Sequence, residues 1–184
     1  AFGFHYSMLG IHPDFAADNG FVARTGIVQP SIANRLSVYG APGSVFERFT
    51  GFVRLIGTWK YDDFFAGRPV LERTASMNNS FTFRGGWTVG ASPTFTRYAF
   101  DSAAYVGTRV PDLAGIARPF VPRDELSGAI VTFSVTTPQF RRFTASVSTT
   151  LGQDVDFLEA TSVRRRDVSA SLDLRPTEQL RLTA

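Results

Sequence analysis

The sequence predicts an all-β fold in which long antiparallel strands follow one another up and down. Three observations predict it. Apolar and polar residues alternate with period two over many segments, short and long connections alternate along the chain, and the composition suits strands and turns. Phe (18) and Gly (16) are abundant alongside Ser, Thr, Arg and Val, and Lys60 is the single lysine among 184 residues. Side chains alternate between the two faces of a strand, so period two is the diagnostic spacing. Aromatic and β-branched residues fit a pleated surface.

Strands are expected at about 1–10, 27–40, 45–61, 70–84, 86–100, 127–137, 140–151, 167–175 and 178–184. The first opens on the aromatic run Phe2-Gly3-Phe4-His5-Tyr6. In the third, Val45, Phe49, Val53, Leu55, Trp59 and Tyr61 oppose Arg48, Thr50, Arg54, Thr58 and Lys60, although Phe46, Phe52 and Ile56 intrude on the polar set. In the fourth, Ala75, Met77, Asn79, Phe81 and Phe83, mostly apolar, oppose the entirely polar set Thr74, Ser76, Asn78, Ser80, Thr82 and Arg84. Ala129, Val131, Phe133 and Val135 oppose Thr132, Ser134 and Thr136. Phe143, Ala145, Val147 and Leu151 oppose Thr144, Ser146, Ser148 and Thr150. Val168, Ala170, Leu172 and Leu174 oppose Asp167, Ser169, Ser171 and Asp173.

Tight turns are expected at Ala41-Pro42-Gly43-Ser44, Gly85-Gly86, Thr137-Pro138-Gln139 and Arg175-Pro176-Thr177, because Pro fixes φ and Gly permits positive φ. Between them fall longer connections, 11–26, 62–69, 101–126 and 152–166. No apolar stretch approaches the roughly 20 residues of a membrane helix, whereas a tilted membrane strand needs only about 9–11. Short turns on one side and long loops on the other are the habit of bacterial outer-membrane barrels. A transmembrane β-barrel is therefore expected, with a lipid-facing apolar side, a polar lumen side and a location in the bacterial outer membrane. Aromatics near strand ends (Trp59, Tyr61, Phe64, Phe65, Tyr98, Phe100 and Tyr105 at the long connections; Tyr39, Trp87, Phe140 and Phe143 at the short turns) fit two interfacial girdles. The chain starts and stops inside strand-like runs without an initiator Met. Residues 1–184 are accordingly read as a single partial barrel domain, about eight or nine strands of a larger cylinder. The rest of a longer parent chain is expected to complete it.

Other classes lack support. There is no cysteine, which excludes disulfides and thiolate metal sites. The formal charge of +3 comes with no basic stripe of interleaved aromatics, so no nucleic-acid partner is expected. No phosphate loop or nucleophile elbow occurs. His5 and His12 are the two histidines and have no ligand-like spacing, so neither a metal nor a cofactor is expected. Asp154, Asp156 and Glu159, like Asp62-Asp63, read as acidic loops; they lack the remaining positions of a calcium loop. Arg164-Arg165-Arg166 reads either as a solvated run leading into a strand or as a contact for lipid phosphates, since Arg binds phosphate through paired hydrogen bonds.

Two groups remain as candidate site residues. Arg48, Arg54, Lys60 and Arg84, set among Ser and Thr, would make a weakly cationic, hydrated lumen wall. Asp14, Phe15, Asn19, Phe21 and Arg24 belong to the first long connection, where Gly20 and Gly26 would let the loop fold back before Ile27. Phe15 and Phe21 would plug the mouth and Arg24 would pair with Asp14 or Asp18. This reads as a constriction or ligand contact, or as a rigid loop brace, the brace being the better supported.

The stretch Asp14-Phe15 through Asn19-Gly20-Phe21-Val22 to Arg24-Thr25-Gly26 is followed by Thr58-Trp59-x-Tyr61-Asp62, Arg84-Gly85-Gly86-Trp87, Thr137-Pro138-Gln139-Phe140 and Leu174-Arg175-Pro176-Thr177-Glu178-Gln179-Leu180. In this order and spacing these pieces resemble an uncharacterised family of bacterial outer-membrane barrels, a domain of unknown function. In that family the barrel follows a module similar to family-9 carbohydrate-binding modules. The resemblance implies a periplasm-to-surface barrel, often loosely described as a membrane-associated hydrolase. It carries no catalytic residues to this chain, and the sugar-binding module is absent from this sequence.

The expected role is thus the wall of a pore or a membrane anchor for uptake or binding of a small solute such as a carbohydrate, with outer-membrane lipid as a partner and no reaction. Two alternatives stay open: a soluble β-sandwich carbohydrate-binding module, and a membrane hydrolase drawing on Asp14, Asp124 and Asp154 in the long connections.

Overall fold

A computed structural model describes residues 1–16, 24–100, 105–111, 115–120, 125–156, 161–177 and 179–183. Nine strands form one antiparallel sheet in an up-and-down order: β1 (Phe2–Ile11), β2 (Ile27–Tyr39), β3 (Phe46–Lys60), β4 (Glu72–Phe83), β5 (Trp87–Ala99), β8 (Glu125–Thr136), β9 (Phe143–Asp156), β10 (Thr161–Leu174) and β11 (Leu182–Thr183). The long β5–β8 connection carries a separate small hairpin, β6 (Arg109–Pro111) with β7 (Ala117–Pro119). A one-turn helix, α1 (Tyr61–Phe65), follows β3 where only a loop was expected. The sheet is not closed into a barrel; β1 and β11 are its edges. No helix among the described residues is long and apolar enough to cross a membrane, which says nothing about strands.

The strands explain themselves through their cross-strand rows, because directly opposed residues share a face. One row runs Val38, Phe49, Phe81, Val89, Val135, Val147, Ala170 from β2 to β10. The next residue along each strand gives Ser37, Thr50, Ser80, Gly90, Ser134, Ser148, Ser169. One face is therefore apolar and the other rich in hydroxyls over the full width of the sheet. A slip of one residue in any pairing would exchange the two.

Several apolar side chains are more exposed than the hydroxyl residues beside them. Val38 is 47% exposed and Val147 52%, whereas Ser37 is 8% exposed and Thr58 2%. Among the described residues the buried hydrophobics are Ile27, Val28, Ala33, Leu126 and Val155, a small core for a sheet of this width. Phe81, Phe83 and Val131 are half-buried and none is sealed. No second sheet covers either face among the described residues, so these residues do not form a face-to-face sandwich.

Several expectations change. β9 and β10 run to Asp156 and from Thr161, so the 152–166 segment is mostly strand and only 157–160 connects them. Asp154 and Asp156 thus lie on β9 and Arg164, Arg165 and Arg166 inside β10; the alternation of short and long connections weakens there because hydrogen-bonded pairing extends past the hydrophobic alternation. The final strand shrinks to Leu182–Thr183. A bulge between Phe46 and Arg48 turns Phe46 from the polar to the apolar side, where it meets Phe83 edge-on with ring centroids 6.5 Å apart. Tyr39 and Tyr98 fall on the polar face, opposite Arg48 and Glu72, and so are not part of an apolar-side girdle.

Gly152 lies on β9 opposite Ile130 of β8. Its φ of 144° suits glycine, and a Cβ there would overlap the Ala129 carbonyl oxygen and crowd Ile130. Gly152→Ala should cost about 2 kcal/mol or more in unfolding free energy by combining strain with overpacking, while Gly3→Ala, with nothing nearer than Arg35 at 3.8 Å, should stay within about 0.5 kcal/mol. Urea unfolding followed by tryptophan fluorescence compares the two.

Candidate functional site

The hydroxyl-rich face is the candidate site, and its polar groups are organised into cross-strand pairs. Thr132 and Thr150 hydroxyls are 2.8 Å apart, Ser146 and Ser171 2.7 Å, Ser148 and Ser169 2.7 Å, and Ser37 and Thr50 3.4 Å. Gln29 Nε2 donates to Thr58 Oγ1 at 3.0 Å. Each pair satisfies one bond of a hydroxyl and leaves further donor and acceptor capacity for water or a solute.

Cations are concentrated on β2 and β3. Arg48, Arg54 and Lys60 all fall on the polar face, opposite Tyr39, Ala33 and Ile27. Arg54 Nε donates to Ser31 Oγ at 3.3 Å, which fixes its stem and leaves the rest of the guanidinium exposed. Arg35, opposite Phe52, belongs to the same group although sequence reasoning did not single it out; its place in the alternation of β2 was the available signal. Arg84 is different. It sits past the end of β4, and its Nη1 reaches the Gly43 carbonyl of the neighbouring turn at 3.4 Å. It braces two short turns and is not part of the strand wall. Carboxylates of this face lie on β4, β9 and β10: Glu72 pairs with Arg24, Arg165 holds Asp154 at 2.9 Å and Asp167 at 2.5 Å, and Arg181 and Arg175 hold Asp173. The polar face thus carries exposed guanidiniums on β2 and β3 alongside these paired acids.

At the long-connection end, Arg24 Nη1 binds Glu72 Oε1 at 2.5 Å, so Arg24 pairs with the start of β4 and not with Asp14 as expected. The 48-residue separation hides this contact from any local reading of the sequence. The Tyr61 amide donates to the Gly26 carbonyl at 2.8 Å, and His12 packs edge-on against Tyr61 at 5.2 Å. Together these three contacts tie the first long connection to β3, α1 and β4. Asp14 faces solvent with His12 Nδ1 3.6 Å away, and Phe15 is 52% exposed, which is not the position of a plug. Asn19, Phe21 and Asp18 lie outside the described residues, as does Asp124. Asp14 lies beside the His12 imidazole and Asp154 pairs with Arg165, and the two carboxylates are not brought together.

The apolar face treats its few polar residues economically. Asn79 Nδ2 bonds the Ala91 carbonyl at 3.1 Å, Asn34 Oδ1 accepts from Tyr6 at 3.4 Å, and Thr149 Oγ1 donates to the Asp167 carbonyl at 3.2 Å. Asn79 and Thr149 are thus turned onto the backbone of the sheet. Aromatic groups collect at both strand ends: Trp59, Phe64, Tyr61 and Phe65 at one, Trp87, Phe140 and Phe143 at the other.

No protein-family model, curated protein or solved structure matches this chain.

The Arg24–Glu72 pair is partly exposed, so its coupling in a double-mutant cycle should be about 0.2–1 kcal/mol. Its positional effect should be larger than its energy. Glu72→Gln is expected to accelerate limited proteolysis within residues 12–26 while leaving cleavage elsewhere unchanged.

Proposed function

We propose that this chain is a wall segment of an outer-membrane β-barrel, with its apolar face toward lipid and its hydroxyl-rich face toward an aqueous passage for a small solute. The observation that carries the reading is the inverted exposure: the large apolar side chains stand out from the more open face and the small hydroxyls occupy the sheltered one. In water this leaves a wide apolar surface uncovered, far beyond what a monomeric soluble protein ordinarily exposes. In lipid the same surface is solvated and the cost vanishes. Mid-face Asn and Thr side chains bonded to the sheet agree with this, since lipid offers them no partner. So do seven strands of 12–15 residues, more than a tilted span needs.

The open edges set a requirement. Unpaired strand edges in hydrocarbon cost several kcal/mol per group. Further strands, from the rest of a longer chain or from the joining of the two edges, must close the cylinder. The resemblance to an uncharacterised barrel family supports the same reading. On the aqueous side, Arg35, Arg48 and Arg54 favour solutes with anionic or hydroxyl groups, and carbohydrates suit the hydroxyl ladders. The role is passage or anchoring, and no reaction is proposed.

Two experiments test this. Val147→Arg should reduce insertion into phosphatidylcholine vesicles by about 2–4 kcal/mol, while the adjacent Ser148→Arg should change it little; equal effects would end the lipid assignment of the faces. In planar bilayers the full-length protein should conduct, and Arg48→Glu with Arg54→Glu should shift its ion preference from anions toward cations, read from the reversal potential in a salt gradient.

A further inference from the structure

On the paired strands, the charged side chains of the apolar face sit close to one end. Cross-strand pairing puts Arg73, Arg97, Glu125, Arg164 and Arg166 on that face, all toward the long connections. The short-turn third of the same face carries Phe83, Trp87, Val135, Phe143 and Leu174 instead. Arg97 and Glu125 pair with each other. Arg164 and Arg166 do not pair: both are exposed, and no carboxylate among the described residues lies within ion-pair distance.

The intervening residue shows that this is a matter of face and not of a basic run. Arg165 points to the polar side and is held between Asp154 and Asp167. Arg164 stands opposite Gln153, and Arg166 opposite Leu151. With Ala129 and Leu151 they border a shallow groove of about 600 Å³. On a lipid-facing surface an uncompensated guanidinium is costly at mid-depth and nearly neutral at the interface. A phosphate there removes the remaining cost, because guanidinium binds it through two parallel hydrogen bonds.

We propose that this groove seats a membrane lipid with a phosphomonoester headgroup, Arg164 and Arg166 binding the phosphate and an acyl chain lying along Ala129 and Leu151. The inference rests on the membrane reading above and deepens it, since it assigns the anionic lipid to the leaflet on the long-connection side.

The test compares the full-length protein with the double variant R164Q/R166Q and with R141Q/R142Q, which loses the same charge at the short-turn end. Flotation with vesicles of phosphatidylcholine, with and without phosphatidic acid, measures association; native mass spectrometry from detergent counts retained phosphatidic acid. The wild-type protein and R141Q/R142Q should favour phosphatidic acid, and R164Q/R166Q should lose roughly tenfold or more of that preference. Equal losses in the two variants, no loss in either, or displacement of the lipid by inorganic phosphate would overturn the lipid site. Float-up with plain phosphatidylcholine separates the two claims. If the wild-type protein fails even there, the membrane reading falls and this inference with it; if it floats but ignores phosphatidic acid, the lipid site alone falls.

Discussion

A single-layer sheet has nothing of its own to bury large side chains against, and the rest of this structure follows from that constraint. In a sandwich, two apolar faces cover each other. Here one apolar face spans β1 to β10 with no covering layer among the described residues, while small hydroxyl residues fill the sheltered side. The backbone meets its hydrogen-bonding needs within the sheet, and over the middle of the strands the side chains divide largely by parity. Whatever contacts the apolar face must come from outside these residues, which is why the solvent assigned to that face decides the functional reading.

This division makes register the property most in need of protection. The chain protects it with local devices. The bulge at Phe46 rotates one aromatic ring back to the apolar side just before the turn. Gly85 and Gly86, both with φ of 88°, form the β4–β5 turn that sets the pairing of Phe83 with Trp87. Gly152 lets β9 approach β8 where any larger residue would force them apart. At the other end, the Arg24–Glu72 contact spans from the first long connection to β4 and crosses β3 on the way, so a surface ion pair of small energy fixes the position of a long segment.

The strand order was legible because period two is a local signal and each strand pairs with its neighbour in the chain. The parity of Arg48, Arg54 and Lys60 was legible for the same reason. What failed did so where local pattern and long-range pairing part company. β9 and β10 continue as hydrogen-bonded strands through Asp154, Asp156 and the arginine run, because pairing tolerates charged side chains that a hydrophobic pattern cannot reveal. Phe46 changed face through an extra residue in the ladder. Arg24 found Glu72 and not Asp14 because the partner is set by how β2, β3 and β4 lie side by side. Arg84 kept the right parity but lies beyond the last paired residue, where turn geometry governs it.

Sequential pairing also bears on how the sheet is made. Each strand docks on the one synthesised just before it, so growth can proceed hairpin by hairpin like a closing zipper, and the loop entropy of each step stays small. The exception is the β5–β8 junction, where a long connection with its own small hairpin separates the partners. That junction divides the sheet into a leading block of five strands and a trailing block of four, and gives their joining the largest loop-closure entropy among the sequential pairings.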